Sequence, residues 1–190
     1  MKANIDLEIP DCETTPAVFE HFHAVVGSGS TSIRILAVYK PDSTRDHPIP
    51  IAQFLDQFSE MIGTLNLSNT KLLVVGDFNF HVDDPSNHDA NLFKDTMNAL
   101  NLIQHVTEAT HRGGHILDLI LTRPEDDVLL EPPHVDSEIS DHSSILTKLI
   151  GSKPPPLRKR ITYRKVKNID IGKFKADIAE LKMQELNDPS

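Results

Sequence analysis

The chain has 190 residues, a formal net charge of −9 and a hydrophobic fraction of 38%, enough for one domain with a real core and a modest appendage. Its single cysteine, Cys12, excludes an internal disulfide framework and a Cys-rich zinc site. With no Trp and 2 Tyr the core is expected to be mostly aliphatic. No apolar run approaches the roughly 20 residues of a membrane helix, and the N-terminus lacks the apolar stretch of a secretory signal, so the chain reads as soluble and intracellular.

Residues 1–16 read as an irregular N-terminal segment. Gly27-Ser28-Gly29-Ser30 is a flexible turn, and Ala24 to Val26 before it is the expected hairpin partner of a strand from Ile33 to Tyr39. Beyond Pro48 and Pro50, residues Ile51, Phe54, Phe58, Ile62 and Leu65 recur at helical spacing. Lys71 to Gly76 is an unbroken apolar run, too short for a helix and suited to a strand buried on both faces. A second helix is expected from about Asp89 to Leu100. Ile116 to Thr122 reads as another buried strand with a carboxylate, Asp118, in its middle, and Ser143 to Ile150 as a last strand. Pro154-Pro155-Pro156 marks a stiff boundary. Arg158 to Lys167 is basic, and Ile171, Phe174, Ile178 and Leu181 outline an amphipathic helix beyond it. Strands and helices mix without strict alternation, which favours a layered α/β or α+β sandwich over a doubly wound parallel sheet.

Charge divides along the chain. Residues 1–152 hold 9 Lys and Arg against 23 Asp and Glu, a net of −14, and residues 153–190 hold 10 against 5, a net of +5. An acidic total argues against a polyanionic partner, because affinity for phosphate comes largely from Lys and Arg. A carboxylate-rich body beside a basic tail reopens that question.

Three short motifs carry chemistry. In Gly76-Asp77-Phe78-Asn79 a buried strand delivers an acid and an amide to its carboxyl end, and period-two geometry puts Asp77 and Asn79 on one side. The same residues also suit a plain strand-ending turn. Asp118 is costly to bury unless it is paired. Ser140-Asp141-His142 offers its partner: an imidazole held by Asp118 is a general acid or base with a fixed tautomer. His81, His88, His105 and His134 show no ligand spacing and are expected at the surface.

In order along the chain, Tyr39-Lys40-Pro41, Gly76-Asp77-Phe78-Asn79, Leu117-Asp118-Leu119-Ile120-Leu121 and Ser140-Asp141-His142 resemble the endonuclease/exonuclease/phosphatase superfamily. Thr110-His111-Arg112-Gly113-Gly114 running into Ile116 to Thr122 looks most like the endonuclease domain of non-LTR retrotransposons. Arg160 to Phe174 looks like the linker those elements place before their reverse transcriptase. The resemblance implies a domain over residues 17–150 and a linker over 151–190. It implies a four-layer sandwich of two packed β-sheets flanked by helices, and metal-dependent phosphodiester hydrolysis of DNA in the nucleus or cytoplasm. By the same resemblance Asp77 would position or deprotonate the attacking water, Asn79 would hold it or the phosphate, and Tyr39 would contact the phosphate. His142, backed by Asp118, would contact the scissile phosphate as imidazolium. Asp141 would contribute to a Mg²⁺ or Mn²⁺ site, and Thr110, His111 and Arg112 would lie at the DNA-facing edge. That loop also reads as an ordinary flexible hairpin turn.

The family pattern begins before this chain does, with an Asn and a metal-binding Glu that nothing here matches. The expectation is an N-terminally truncated, weakly active or inactive endonuclease domain lacking its first strands. The alternative is a non-catalytic domain that binds nucleic acid through its basic tail.

Overall fold

The computed structural model describes residues 7–8, 16–27, 29–46, 48–151 and 170–185. Cys12, the Pro154 to Pro156 boundary and the basic stretch lie outside the described residues, as does the side chain of Leu181. Two compact units divide at Pro156 and Leu157. No helix among the described residues is long and apolar enough to cross a membrane.

The first unit holds two sheets. In chain order its elements are β1 (Leu7–Glu8), β2 (Glu20–Val26), β3 (Ile33–Tyr39), α1 (Ile51–Asn66), β4 (Lys71–Asp77), α2 (His88–Ala99), β5 (Ile103–Gln104), β6 (Asp118–Thr122), β7 (Leu129–Glu138) and β8 (Ser143–Leu149). Six strands form one sheet in the order β1-β2-β3-β4-β6-β5, and β7 and β8 form a two-stranded sheet. Among the described residues only β3 and β4 run parallel, joined through α1, and the remaining neighbours are antiparallel.

The β3, β4 and β6 registers sort residues onto faces. Leu36, Val74 and Leu121 stand in one row, as do Val38, Gly76 and Leu119, and all but the glycine are buried apolar side chains. These rows share a core with Phe54, Phe58 and Ile62 of α1 and Phe93 and Met97 of α2. The opposite face carries the half-buried Ile35 and Val75, and partly buried Leu129, Ile145 and Leu149 of the small sheet also pack against the core. The centre of that core is aromatic rather than aliphatic. Phe54, Phe58, Phe78, Phe80 and Phe93 meet edge-on or stacked at centroid separations of 4.8–5.8 Å. Six of the 8 phenylalanines are buried; few aromatics, concentrated in one place, outweigh their share of composition.

Local chemistry fixes the element ends. Asn87 Oδ1 accepts the Ala90 N–H at 2.9 Å as the cap of α2. At the other end Asn101 takes a left-handed conformation, φ 56°. The N–H groups of Asn101 and Leu102 then donate to the carbonyls of Asn98 and Met97, a Schellman closure. The start of β4 is held by a buried ion pair. Asp126 accepts from the Leu72 N–H at 2.7 Å and from Arg123 at 2.7 and 2.9 Å, while Arg123 also reaches the Thr70 carbonyl at 2.8 Å. Strand β7 is absent from the sequence expectation; it contains Pro132 and Pro133, and its ladder shifts register between Glu131 and His134, where those prolines fall. Proline is tolerated in a strand at such irregularities.

The second unit contains α3 (Ile171–Glu185), opened by Asp170, whose carboxylate accepts the Lys173 N–H at 3.1 Å. Ile171, Phe174 and Ile178 on the expected stripe are exposed.

Candidate active site

One register row crosses the large sheet near the carboxyl ends of β3 and β4. Glu20 of β2 lies opposite Tyr39 of β3, Tyr39 beside Asp77 of β4, and Asp77 opposite Asp118 of β6. Facing residues of neighbouring strands share a face, so Tyr39, Asp77 and Asp118 rise together from the side opposite the aromatic core. Tyr39 is 46% exposed. The row is possible because Gly76 stands one residue earlier with φ +145°, where an added Cβ would lie 1.9 Å from the Val38 carbonyl oxygen. No side chain fits there.

Strand alternation does not unite Asp77 with Asn79, because β4 ends at Asp77. Asn79 instead turns into the left-handed region at φ 51°, which asparagine tolerates. Its N–H donates to Asp77 Oδ1 at 3.1 Å, and its amide donates to Asp77 Oδ2 at 3.2 Å and to the Lys40 carbonyl at 2.8 Å. The strand-ending turn that Gly-Asp-Phe-Asn suits does form, and it fixes both oxygens of the acid. Burial holds the Asp77 carboxyl above the usual carboxylate range, against the stabilising Asn79 N–H bond, and the facing Asp118 charge adds to the rise.

Asp118 is the first residue of β6 rather than its middle. It is half-buried and accepts a hydrogen bond from His142 Nδ1 at 2.8 Å. That bond, opposed by partial burial and helped by the charges of Asp118, Asp77 and Asp141, raises the His142 pKa above 6.5. His142 Nε2 is left to face other partners. Asp141 is exposed, and a bond from Ser140 Oγ at 2.9 Å helps hold its carboxyl below the usual range.

The Thr110 to His115 loop is neither flexible nor wholly a surface edge. Its backbone is stitched to the start of β8. Ser143 N–H donates to the Thr110 carbonyl and Arg112 N–H to the Asp141 carbonyl, each at 2.8 Å, and His111 bridges His142 in antiparallel fashion. Thr110, expected at the DNA-facing edge, is fully buried at 0% exposure. Its Oγ1 accepts the N–H groups of Leu117 and Asp118, both at 3.0 Å, so it positions Asp118 and cannot touch DNA. Arg112 is exposed, and His111 is half-buried with its ring edge-on to His142 at 5.0 Å.

Other histidines depart from a bland surface role. His105 is half-buried and shares a 2.8 Å hydrogen bond with Thr122 Oγ1. His115 pairs with Asp83 at 2.9 Å and stacks on His81 at 4.0 Å. Partial desolvation opposes the ionised form of Asp83, but bonds from the Ile116 N–H and His115 win and lower its pKa. No spacing in the sequence points to this pair, whose members are 32 residues apart.

Among the described residues, two groups bring three ligand-capable side chains within 4.8 Å of one another: Asp77, Asp118 and His142, and His111, Asp141 and His142. The first fits a hard divalent cation. Two carboxylates face each other across a ladder, oxygen donors are what Mg²⁺ or Mn²⁺ prefers, and a cation would relieve the repulsion that contributes to the raised Asp77 pKa. Asp141 falls in the second group and not beside Asp77.

The family described as "Endonuclease-reverse transcriptase" matches residues 33–146, which contain every residue of this site. Among solved structures, the endonuclease domain of TRAS1, a telomere-specific non-LTR retrotransposon, superposes with a TM-score of 0.63 at 16% identity over 80% of this chain and 69% of that one. The 3′ phosphatase NExo from Neisseria, bound to product DNA hairpin, gives 0.49 at 18% identity over 78% and 72%. The Xenopus laevis APE2 catalytic domain gives 0.48 at 12% over 72% and 57%. No curated protein sequence matches the chain. The matched segment spans more than half of the chain: it belongs to the endonuclease-reverse transcriptase family, with the two-sheet α/β fold of the endonuclease/exonuclease/phosphatase superfamily.

Proposed function

We propose that this chain carries the phosphodiester-hydrolysing site of a retrotransposon-type DNA endonuclease. The observation that carries the reading is the convergence of Asp77, Asp118 and His142, with His142 Nδ1 bonded to Asp118 at 2.8 Å. Asp77, made more basic by burial and oriented by Asn79, accepts a proton from the attacking water. The water oxygen forms the new bond to phosphorus as the bond to the leaving oxygen breaks, and that oxygen takes a proton from solvent. His142, held as imidazolium by Asp118, donates Nε2–H to a phosphate oxygen where charge builds. Tyr39 sits on the same row to contact the phosphate, and Arg112 reaches the DNA backbone from the loop. Asp77 and Asp118 would hold a Mg²⁺ or Mn²⁺ ion, which would supply neutralising charge to the phosphate.

Two carboxylates and water form a modest cation site, so turnover is expected to be slow and to climb with metal concentration. The test is nicking of supercoiled plasmid by the recombinant chain. Nicking that needs Mg²⁺ or Mn²⁺ and is lost in Asp77→Ala and in His142→Ala bears the proposal out. Nicking that survives both substitutions overturns it, as does none at any metal concentration. The charge division supports a second reading, a non-catalytic domain that binds DNA through its basic tail. Binding unaffected by Asp77→Ala, without nicking, would select it.

A further inference from the structure

The group formed by His111, Asp141 and His142 has the spacing of a cation site, yet its hydrogen bonds point to the opposite kind of ligand. A metal-bound imidazole ordinarily donates its other ring N–H to a carboxylate or carbonyl. His142 meets that condition through Asp118. His111 inverts it, because its Nδ1 accepts the Gly113 N–H at 3.0 Å. The contact is built into the backbone. A Cβ at position 113 would lie 2.9 Å from His111 Nδ1, so a glycine is what lets the amide approach the ring, and Gly114 N–H closes the turn on the His111 carbonyl at 2.9 Å.

With its lone pair at Nδ1 engaged, a neutral His111 ring carries its hydrogen on Nε2. That N–H lies 3.8 Å from Asp141 Oδ2, beyond hydrogen-bond reach, and no other hydrogen bond consumes it among the described residues. A cation at Nε2 would have to displace this hydrogen and force a second one onto Nδ1, against the Gly113 amide. A ligand that accepts hydrogen bonds requires no such change. The His111 ring is also fixed in place: its backbone bridges His142, and the residues on either side bond to Asp141 and Ser143.

We infer that His111 is a second substrate-contacting imidazole, donating Nε2–H to a phosphodiester oxygen beside the one His142 serves. This rests on the phosphodiester reading above and adds to it a residue and a role. The nucleic-acid backbone is the acceptor because its non-bridging oxygens are anionic, repeat along the strand and take charge-assisted hydrogen bonds well. His111 acts by contact and does not pass through another residue.

The test uses the full chain, labelled with ¹⁵N, and long-range ¹H–¹⁵N spectra of its histidines. Without metal, neutral His111 is expected to show a protonated Nε2 and a bare Nδ1. Adding a short DNA duplex in EDTA, where no hydrolysis occurs, should move the Nε2 signal and leave the tautomer unchanged. Duplex affinity under the same conditions should fall about tenfold in His111→Ala, the loss of one hydrogen bond to a charged group. It should fall less in His111→Gln, whose amide still offers an N–H.

Three results overturn the inference: a protonated Nδ1 in the free chain, no response of His111 at any duplex concentration, or Zn²⁺ capture at Nε2 without a loss of stability. Because none of these measurements needs turnover, they separate from the plasmid assay. A chain that nicks plasmid while His111 ignores the duplex keeps its activity and loses this contact. A His111 response in a chain that never nicks supports the contact and removes the hydrolytic reading.

Discussion

At the scale of single residues, the site depends on how one carboxylate treats one imidazole. Asp118 raises the His142 pKa first by its hydrogen bond and then by its charge. The folded value exceeds the unfolded 6.5, so the pair stabilises the fold fully below about pH 6.5, and that contribution is lost as pH rises through the raised value. In Asp118→Asn the amide cannot offer a charge, and the His142 titration midpoint, followed by NMR in metal-free protein, is expected to drop toward or below 6.5. A midpoint unmoved by that change would mean that Asp77 and Asp141 alone hold the proton. The Asp118 to His142 pairing was legible in the sequence because a carboxylate among apolar neighbours demands a partner and an imidazole was available. The His111 tautomer was not legible. It depends on a backbone amide two residues away, which spacing alone cannot orient.

Among the elements, the strands that read clearly are those whose residues agree with their burial. Ile33 to Tyr39 and Lys71 to Asp77 are apolar and central, and Ile51 to Asn66 shows one apolar stripe whose Phe54, Phe58, Met61 and Ile62 are buried. Strand β7 was illegible because its shape comes from pairing with β8; Pro132, Pro133 and the acidic Glu131, Asp136 and Glu138 supply no strand signal of their own. The loop from Thr110 to His115 resisted reading for a related reason. Its glycines suggested freedom, whereas its order comes from long-range bonds to β8 and from one buried hydroxyl. Thr110 Oγ1 satisfies two N–H groups at the entrance of β6, so this loop, more than the strand itself, sets where Asp118 begins. Thr110→Val keeps the shape and removes the acceptor. It is expected to cost about 2 kcal/mol or more in urea unfolding, the price of leaving buried donors unpaired, and to speed amide exchange at Leu117 and Asp118. Thr110→Ser restores the acceptor and should recover most of the loss. Equal stability of the valine variant would show that water or a backbone shift satisfies those donors.

For the whole molecule, the charge division poses a physical conflict. A body with net −14 repels duplex DNA, and Lys and Arg around the site are few: Lys40 is buried over the Phe80 ring, leaving Arg112 as the exposed cation of the loop. The segment from Lys153 to Lys167 holds seven Lys and Arg and no acid, and it is where sequence-independent affinity is expected to reside. Each phosphate neutralised on duplex DNA contributes about 0.9 to the slope of log affinity against log salt. Changing Arg158, Lys159, Arg160, Arg164, Lys165 and Lys167 together to Gln in the full chain is therefore expected to flatten that slope by up to about 5, measured by fluorescence anisotropy. Asp77→Ala should leave the slope unchanged, since it alters a carboxylate and releases no counterion from DNA. The two variants separate attachment from chemistry. If the glutamine variant retains the full slope, the body holds DNA despite its charge, and the contacts at His111, His142 and Arg112 must supply the attraction. If it loses both slope and nicking while its His142 titration stays intact, the basic segment delivers the strand and the acidic body cuts it.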